Sequence, residues 1–73
     1  MTQHDQILEY IEKFGSITPI EAFSDLFITK LATRISEMRK RGWEFDIETI
    51  HTTTRLGKKT HYCRYSNARL KEI

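Results

Sequence analysis

The sequence predicts an α+β fold: three short helices followed by a C-terminal β-hairpin, in a single domain. Three observations predict it. Before residue 42, apolar residues recur at three- and four-residue spacing in three separate stretches. From Trp43 the period becomes alternating, with Trp43, Phe45 and Ile47 set against Glu44, Asp46 and Glu48. A basic, glycine-containing run, Arg55-Leu56-Gly57-Lys58-Lys59, then separates that strand from a second one over Thr60 to Ser66.

The first helix is expected from about Gln3 to Phe14. Ile7, Leu8, Ile11 and Phe14 share one face, and Glu9 and Lys13 pair at i,i+4 on the outside. Gly15 suits its end, because glycine accepts the left-handed conformation that closes a helix. Ser16-Ile17 has room for one short extended pairing. Thr18-Pro19-Ile20-Glu21 is a capping box with proline in the first turn. A second helix should follow to about Leu26, burying Ala22, Phe23 and Leu26.

The third helix is expected over Thr29 to Arg41. Leu31, Ile35 and Met38 form its buried stripe, with Ile28 leading in and Ala32 at the edge. Thr29, Lys30, Thr33, Ser36, Glu37, Lys40 and Arg41 occupy the opposite arc, and Gly42 ends the helix beside three basic residues. Within the hairpin, Ile50 breaks the alternation, which predicts a bulge near Glu48-Thr49 or a twist there. The domain is placed at residues 1–66. The tail, 67–73, carries Leu70 and Ile73 and reads as a frayed helical turn, a disordered end or a docking segment. The expected core is Ile7, Leu8, Ile11, Phe14, Ile17, Phe23, Leu26, Ile28, Leu31, Ile35, Met38, Trp43, Phe45 and Tyr65.

Size and composition agree with one small packed domain. The 73 residues are 38% hydrophobic and 30% charged, with eight aromatics, enough apolar surface for a core and against disorder. The single cysteine excludes an internal disulfide. No apolar run approaches the ~20 residues that cross a bilayer, and MTQHDQ lacks the basic and apolar regions of a signal peptide. The expectation is a soluble cytoplasmic protein with no membrane contact. Net charge is only +2, but it is unevenly spread. Residues 1–29 hold five carboxylates and one lysine, whereas residues 30–73 hold eleven lysines and arginines against five carboxylates. A polyanion would dock on the second half.

Two closely spaced short helices, the second amphipathic and basic, read as helix-turn-helix, and a basic-tipped hairpin behind them completes the winged-helix plan. Ile17-Thr18-Pro19 with Glu21-Ala22, Leu26, Ile28, Leu31-Ala32, Arg34-Ile35-Ser36-Glu37-Met38-Arg39, Gly42-Trp43, Gly57-Lys58 and Arg64-Tyr65 resemble the small winged helix-turn-helix domains of phages and prophages, especially those of Gram-positive hosts. The resemblance spans roughly residues 5–66. It implies DNA binding through the third helix and the wing. The chain departs from that pattern at Phe27, where the turn between the second and third helices usually has glycine.

The predicted function is sequence-specific binding of double-stranded DNA, by a phage transcription regulator or an excisionase-like recombination factor. The recognition helix, 29–41, would enter the major groove, and the wing, 54–60, would lie on the backbone or in the minor groove. Thr29, Lys30 and Thr33 stand where base-edge contacts concentrate, Lys30 toward guanine and the threonines toward a thymine methyl or a phosphate. Lys40 and Arg41 would hold phosphates without reading sequence, and Arg55, Lys58 and Lys59 would extend the wing's grip. Arg34 lies beside the buried stripe, where it either contacts DNA, covers Trp43 with its stem or pairs with an acid. Glu37 faces the groove and would be repelled by phosphate unless it accepts from cytosine or pairs with Arg41.

The plain alternative makes these cations a solvated face. A second functional reading is a module that binds a phage or host protein, suggested by the acidic first half, Phe27 and the apolar tail. So small a domain contacts few bases, so a homodimer, cooperative copies on adjacent sites or a partner protein is expected. No catalytic pattern is present and no cofactor is called for. His51, His61 and Cys63 share the hairpin but fall short of the four ligands of a structural zinc site, so no metal is expected.

Overall fold

The computed structural model describes residues 2–71. Helix α1 spans Gln3–Phe14, strand β1 Ser16–Ile17, helix α2 Pro19–Leu26, helix α3 Leu31–Lys40, strand β2 Trp43–Thr53 and strand β3 Lys59–Leu70. The strands form one antiparallel sheet in the order β1-β3-β2. The helices cover one face of its proximal end.

Local chemistry sets the ends of α1 and α2. The N–H of Glu21 donates to Thr18 Oγ1 at 3.2 Å and that of Thr18 donates back to Glu21 Oε1 at 3.0 Å, the reciprocal box foreseen for α2. Thr2 and Asp5 build the same box on α1, and Gly15 closes that helix at φ +88° with its N–H on the Ile11 carbonyl. Glu9 and Lys13 pair at 2.9 Å.

One cluster holds the domain: Ile7, Tyr10, Ile11, Ile17, Ala22, Ile28, Leu31, Ile35, Met38, Phe45 and Tyr65. Leu8, Leu26 and Trp43 are half-buried against it. Two expected core residues are outside. Phe14 is 68% exposed because the chain reverses at Gly15 immediately after it, and its ring lies tilted against that of Tyr10 with centroids 4.6 Å apart. Phe23 is 57% exposed because α2 turns Ala22 inward, and the next residue on a helix points about 100° away. Tyr10 is buried in their place. Its hydroxyl donates to Asp25 Oδ2 at 2.5 Å and contacts Glu21 Oε2 at 3.4 Å, tying α1 to α2.

The connection from α2 to α3 uses Phe27 where a glycine is usual. Phe27 itself takes the left-handed conformation, φ 57° and ψ 30°, with its N–H on the Phe23 carbonyl and its ring 79% exposed. Helix α3 is shorter than expected: Thr29 lies in the bend before it, Lys30 is its N-cap, and Arg41 follows its last residue. Unlike α1 and α2, it begins without a side-chain cap, so nothing local extends it back to Thr29.

The hairpin also differs from expectation in two places. The bulge is on β3, not at Glu48-Thr49. Glu44 pairs Arg69 and Asp46 pairs Ser66, so Asn67 and Ala68 together face the single residue Phe45. Asn67 accommodates the bulge at φ 54°, and its amide donates to Asp46 Oδ2 at 3.0 Å. Ile50 needs no bulge, because it pairs across the ladder with Tyr62 on the face away from the core. The stretch from Asn67 to Leu70 continues β3 instead of fraying or turning helical, with Leu70 opposite Trp43. Residues 72–73, and with them the reading of Ile73, lie outside the described residues.

Tyr10→Phe should lower unfolding free energy by about 1 kcal/mol in a urea titration, the worth of one hydrogen bond to a partly solvated carboxylate. The Asp25 contact pushes the Tyr10 phenol up from the ordinary tyrosine range, with burial adding to it. A raised folded value means that this contribution is complete below the ordinary tyrosine range and lost as pH rises through the folded value. Phe27→Gly should raise stability by roughly 0.5 kcal/mol, since glycine relieves a left-handed phenylalanine but gains freedom in the unfolded chain. A fall in stability would show that the Phe27 ring has a packing partner.

Candidate nucleic-acid interface

Two elements carry the predicted site residues, α3 with its flanks and the distal hairpin. Helix α3 buries Leu31, Ile35 and Met38 and leaves Thr33, Ser36 and Lys40 exposed on the other side. Thr29 and Lys30, also exposed, stand just ahead of its first turn. Lys40 and Arg41 sit at its far end beside exposed Arg39, a cation absent from the DNA contacts expected from the sequence.

The wing is long because its strands outrun the core. Phe45 and Tyr65 are the last buried residues along β2 and β3 toward the tip, and every residue from His51 to His61 is exposed. The tip is a compact turn: the N–H of Thr54 donates to the Lys58 carbonyl at 2.8 Å, and the N–H of Lys58 donates to Thr54 Oγ1 at 3.2 Å. Gly57, at φ +77°, makes this turn. It presents Arg55, Lys58 and Lys59 together.

Ion pairing sorts the cations into two groups. On the sheet face away from the helices, Glu48 pairs with Arg64, while Arg69 contacts Glu44 at 3.5 Å and Asp46 at 3.3 Å. The Asn67 amide, then the Arg69 charge, hold the Asp46 carboxyl below the usual carboxylate range. Arg64 and Arg69 are therefore matched. By contrast, Lys30, Arg39, Lys40, Arg41, Arg55, Lys58, Lys59 and Lys71 have no carboxylate within ion-pair distance among the described residues. The unmatched positive charge lies at the ends of α3, at the wing tip, and at Lys71, whose N–H donates to the Gly42 carbonyl just past the end of α3.

Arg34 and Glu37 behave differently from the other predicted site residues. Glu37 Oε1 lies 3.0 Å from His4 Nε2 and 3.3 Å from Arg34 Nη1. The His4 hydrogen bond is the main cause that holds the Glu37 carboxyl below its ordinary range, with Arg34 and Arg41 adding to it against partial burial. Of the alternatives open for Arg34, pairing with an acid is the one observed, and the pair of Glu37 is His4 with Arg34 instead of Arg41. His4 was not foreseen. Its contact spans 33 residues of sequence, and no spacing rule reaches that far.

His51 and His61 face each other in register, with ring centroids 6.2 Å apart. Cys63 is half-buried against the core. Among the described residues, no three of His, Cys, Asp or Glu are placed to hold a metal ion, and no helix is long and apolar enough to cross a membrane.

No curated protein and no solved structure matches the chain. The sequence model of the winged helix-turn-helix domain family matches residues 2–69, which takes in all three helices and nearly all of the hairpin. With three helices followed by a projecting antiparallel hairpin over the matched residues, the chain belongs to the winged helix-turn-helix family.

Proposed function

We propose that this protein binds double-stranded DNA in a sequence-dependent way, with α3 in the major groove and the wing tip on the adjacent backbone or minor groove. One observation carries the reading: the cations without acidic partners gather at the ends of α3 and at the wing tip, while those on the outer sheet face are matched. A helix held by one buried face, with short polar side chains on the other, fits a major groove. In this reading Lys30 and Thr33 approach base edges, Thr29 a base or phosphate, and Lys40 and Arg41 hold the backbone. Arg55, Lys58 and Lys59 grip through the wing.

A regulator of phage transcription and an excisionase-like recombination factor are the two roles that suit a domain of this size. Either would work as a dimer or as cooperative copies on neighbouring sites, because one recognition helix reads few base pairs. A second reading is favoured by one feature only. Ile20, Phe23 and Phe27 are 68%, 57% and 79% exposed along α2, an apolar stripe suited to a phage or host protein partner.

The test is binding to a mixed duplex pool across a salt series. Wild type should weaken steeply, with log affinity falling by about 0.9 per phosphate contact for each decade of salt. Lys58→Ala should weaken all sequences alike and reduce that slope by about one. Lys30→Ala should cost about 1–3 kcal/mol on preferred sequences and relax discrimination at one position. Absence of any duplex binding at low salt would overturn the DNA reading in favour of a protein partner at α2.

A further inference from the structure

The first turn of α1 meets the second half of α3 across a surface hollow lined by Gln3, His4, Arg34, Glu37, Lys40 and Arg41. Its charge is mostly positive, and Glu37 is the one carboxylate on α3. On the outward arc of a helix that approaches DNA, a free carboxylate would face phosphates at close range and repel them. Here it is not free. The His4 imidazole reaches it at 3.0 Å from α1, with His4 itself only one-fifth exposed, and the Arg34 guanidinium reaches the same oxygen at 3.3 Å from one turn back. The His4 contact ties Glu37 to α1 and the Arg34 contact holds the same oxygen from within α3, while Lys40 and Arg41 line the hollow beside it with their side chains exposed.

We propose that His4 is a positioning residue of the DNA-binding face: by holding the Glu37 carboxylate against Arg34, it masks the one negative charge of α3 and leaves the hollow able to seat a backbone phosphate between Lys40, Arg41 and the first turn of α1. The proposal rests on the DNA reading above and enlarges the interface beyond recognition helix and wing. The occupant is a phosphate of the same duplex, since the hollow adjoins α3 and its unmatched cations continue the charge at the end of that helix. Arg34 acts here through Glu37, not by reading a base.

The test is a four-way comparison on the full chain: wild type, His4→Ala, Glu37→Gln and the double variant, titrated into labelled mixed duplex at fixed salt. His4→Ala should weaken binding roughly two- to fivefold, the size of one partly screened charge contact. Glu37→Gln should bind as tightly as wild type or more so, and the double variant should match Glu37→Gln. That suppression separates masking from a structural role, because a fold defect caused by losing His4 would persist in the double variant. The inference is overturned if His4→Ala binds as wild type does, if the double variant stays as weak as His4→Ala, or if Glu37→Gln binds more weakly than wild type. His4→Gln, which keeps a side-chain donor, should bind more tightly than His4→Ala, and equal weakness of the two would likewise overturn it. Wild type that binds no duplex overturns the DNA reading itself. The contact is then read without DNA: the Glu37 carboxyl, followed by NMR, should titrate at higher pH in His4→Ala than in wild type, and an unchanged midpoint removes the contact.

Discussion

Everything outside the core hangs on one face of α3. Leu31, Ile35 and Met38 are each at most 2% exposed, and Ile28 beside them is 1% exposed. The same cluster takes in Ile7 and Ile11 of α1, Ala22 of α2, and Phe45 and Tyr65 of the sheet. Burying a side chain of this size contributes about 1.5–3 kcal/mol relative to leaving it in water, so the stripe dominates what holds α3 in place. Under the proposed DNA reading α3 is the recognition element, which gains specificity only if its orientation is fixed before binding, and its buried and exposed sides are the two halves of one ten-residue helix. Alanine at position 22 serves the same end, because a methyl group at the contact lets α2 approach closely while Ile20 and Phe23 stay outside.

The outer sheet face shows how a chain of low net charge keeps a locally positive surface. Glu44, Asp46 and Glu48 alternate along β2 and meet Arg64, Asn67 and Arg69 of β3. Exposed pairs of this kind contribute little to stability. Their effect is on the distribution of charge, since they neutralise the sheet and leave the wing tip and α3 as the unmatched positive regions. β2 is also an edge strand of the sheet. Charged side chains along it discourage pairing with a second strand, a hazard for an edge eleven residues long.

Phe27 stands apart from both surfaces. A left-handed phenylalanine is less favourable than glycine by about 1–2 kcal/mol, yet its ring lies in solvent and gains no packing in the isolated chain. With Ile20 and Phe23 it makes α2 apolar on the side turned away from Ala22. Stability of the monomer does not account for that stripe.

Outside Asn67–Leu70, which extends β3 by pairing with β2, the helix and strand segments were legible in the residues alone, because they depend on local chemistry: the capping box at Thr18, the glycines at 15 and 42, and the change of period at Trp43. The sequence also located the basic wing turn, since Gly57 and its neighbours need no distant partner to form it. Helical periodicity named the buried stripe of α3 correctly for the same reason. Tertiary structure decided the rest. Phe14 and Phe23 have core-like positions in the sequence, and only the reversal at Gly15 and the inward turn of Ala22 put them in water. Tyr10 became a core residue because Asp25, fifteen residues away, accepts its hydroxyl. The bulge fell at Asn67 instead of Glu48-Thr49 because register is a property of two strands together. At the interface, polar and basic residue types marked Thr33, Lys40, Arg41 and the wing cations for contact. Which charges remain unmatched, and that Glu37 answers to His4 across the helix pair, depends on distances between elements that no spacing along the chain encodes.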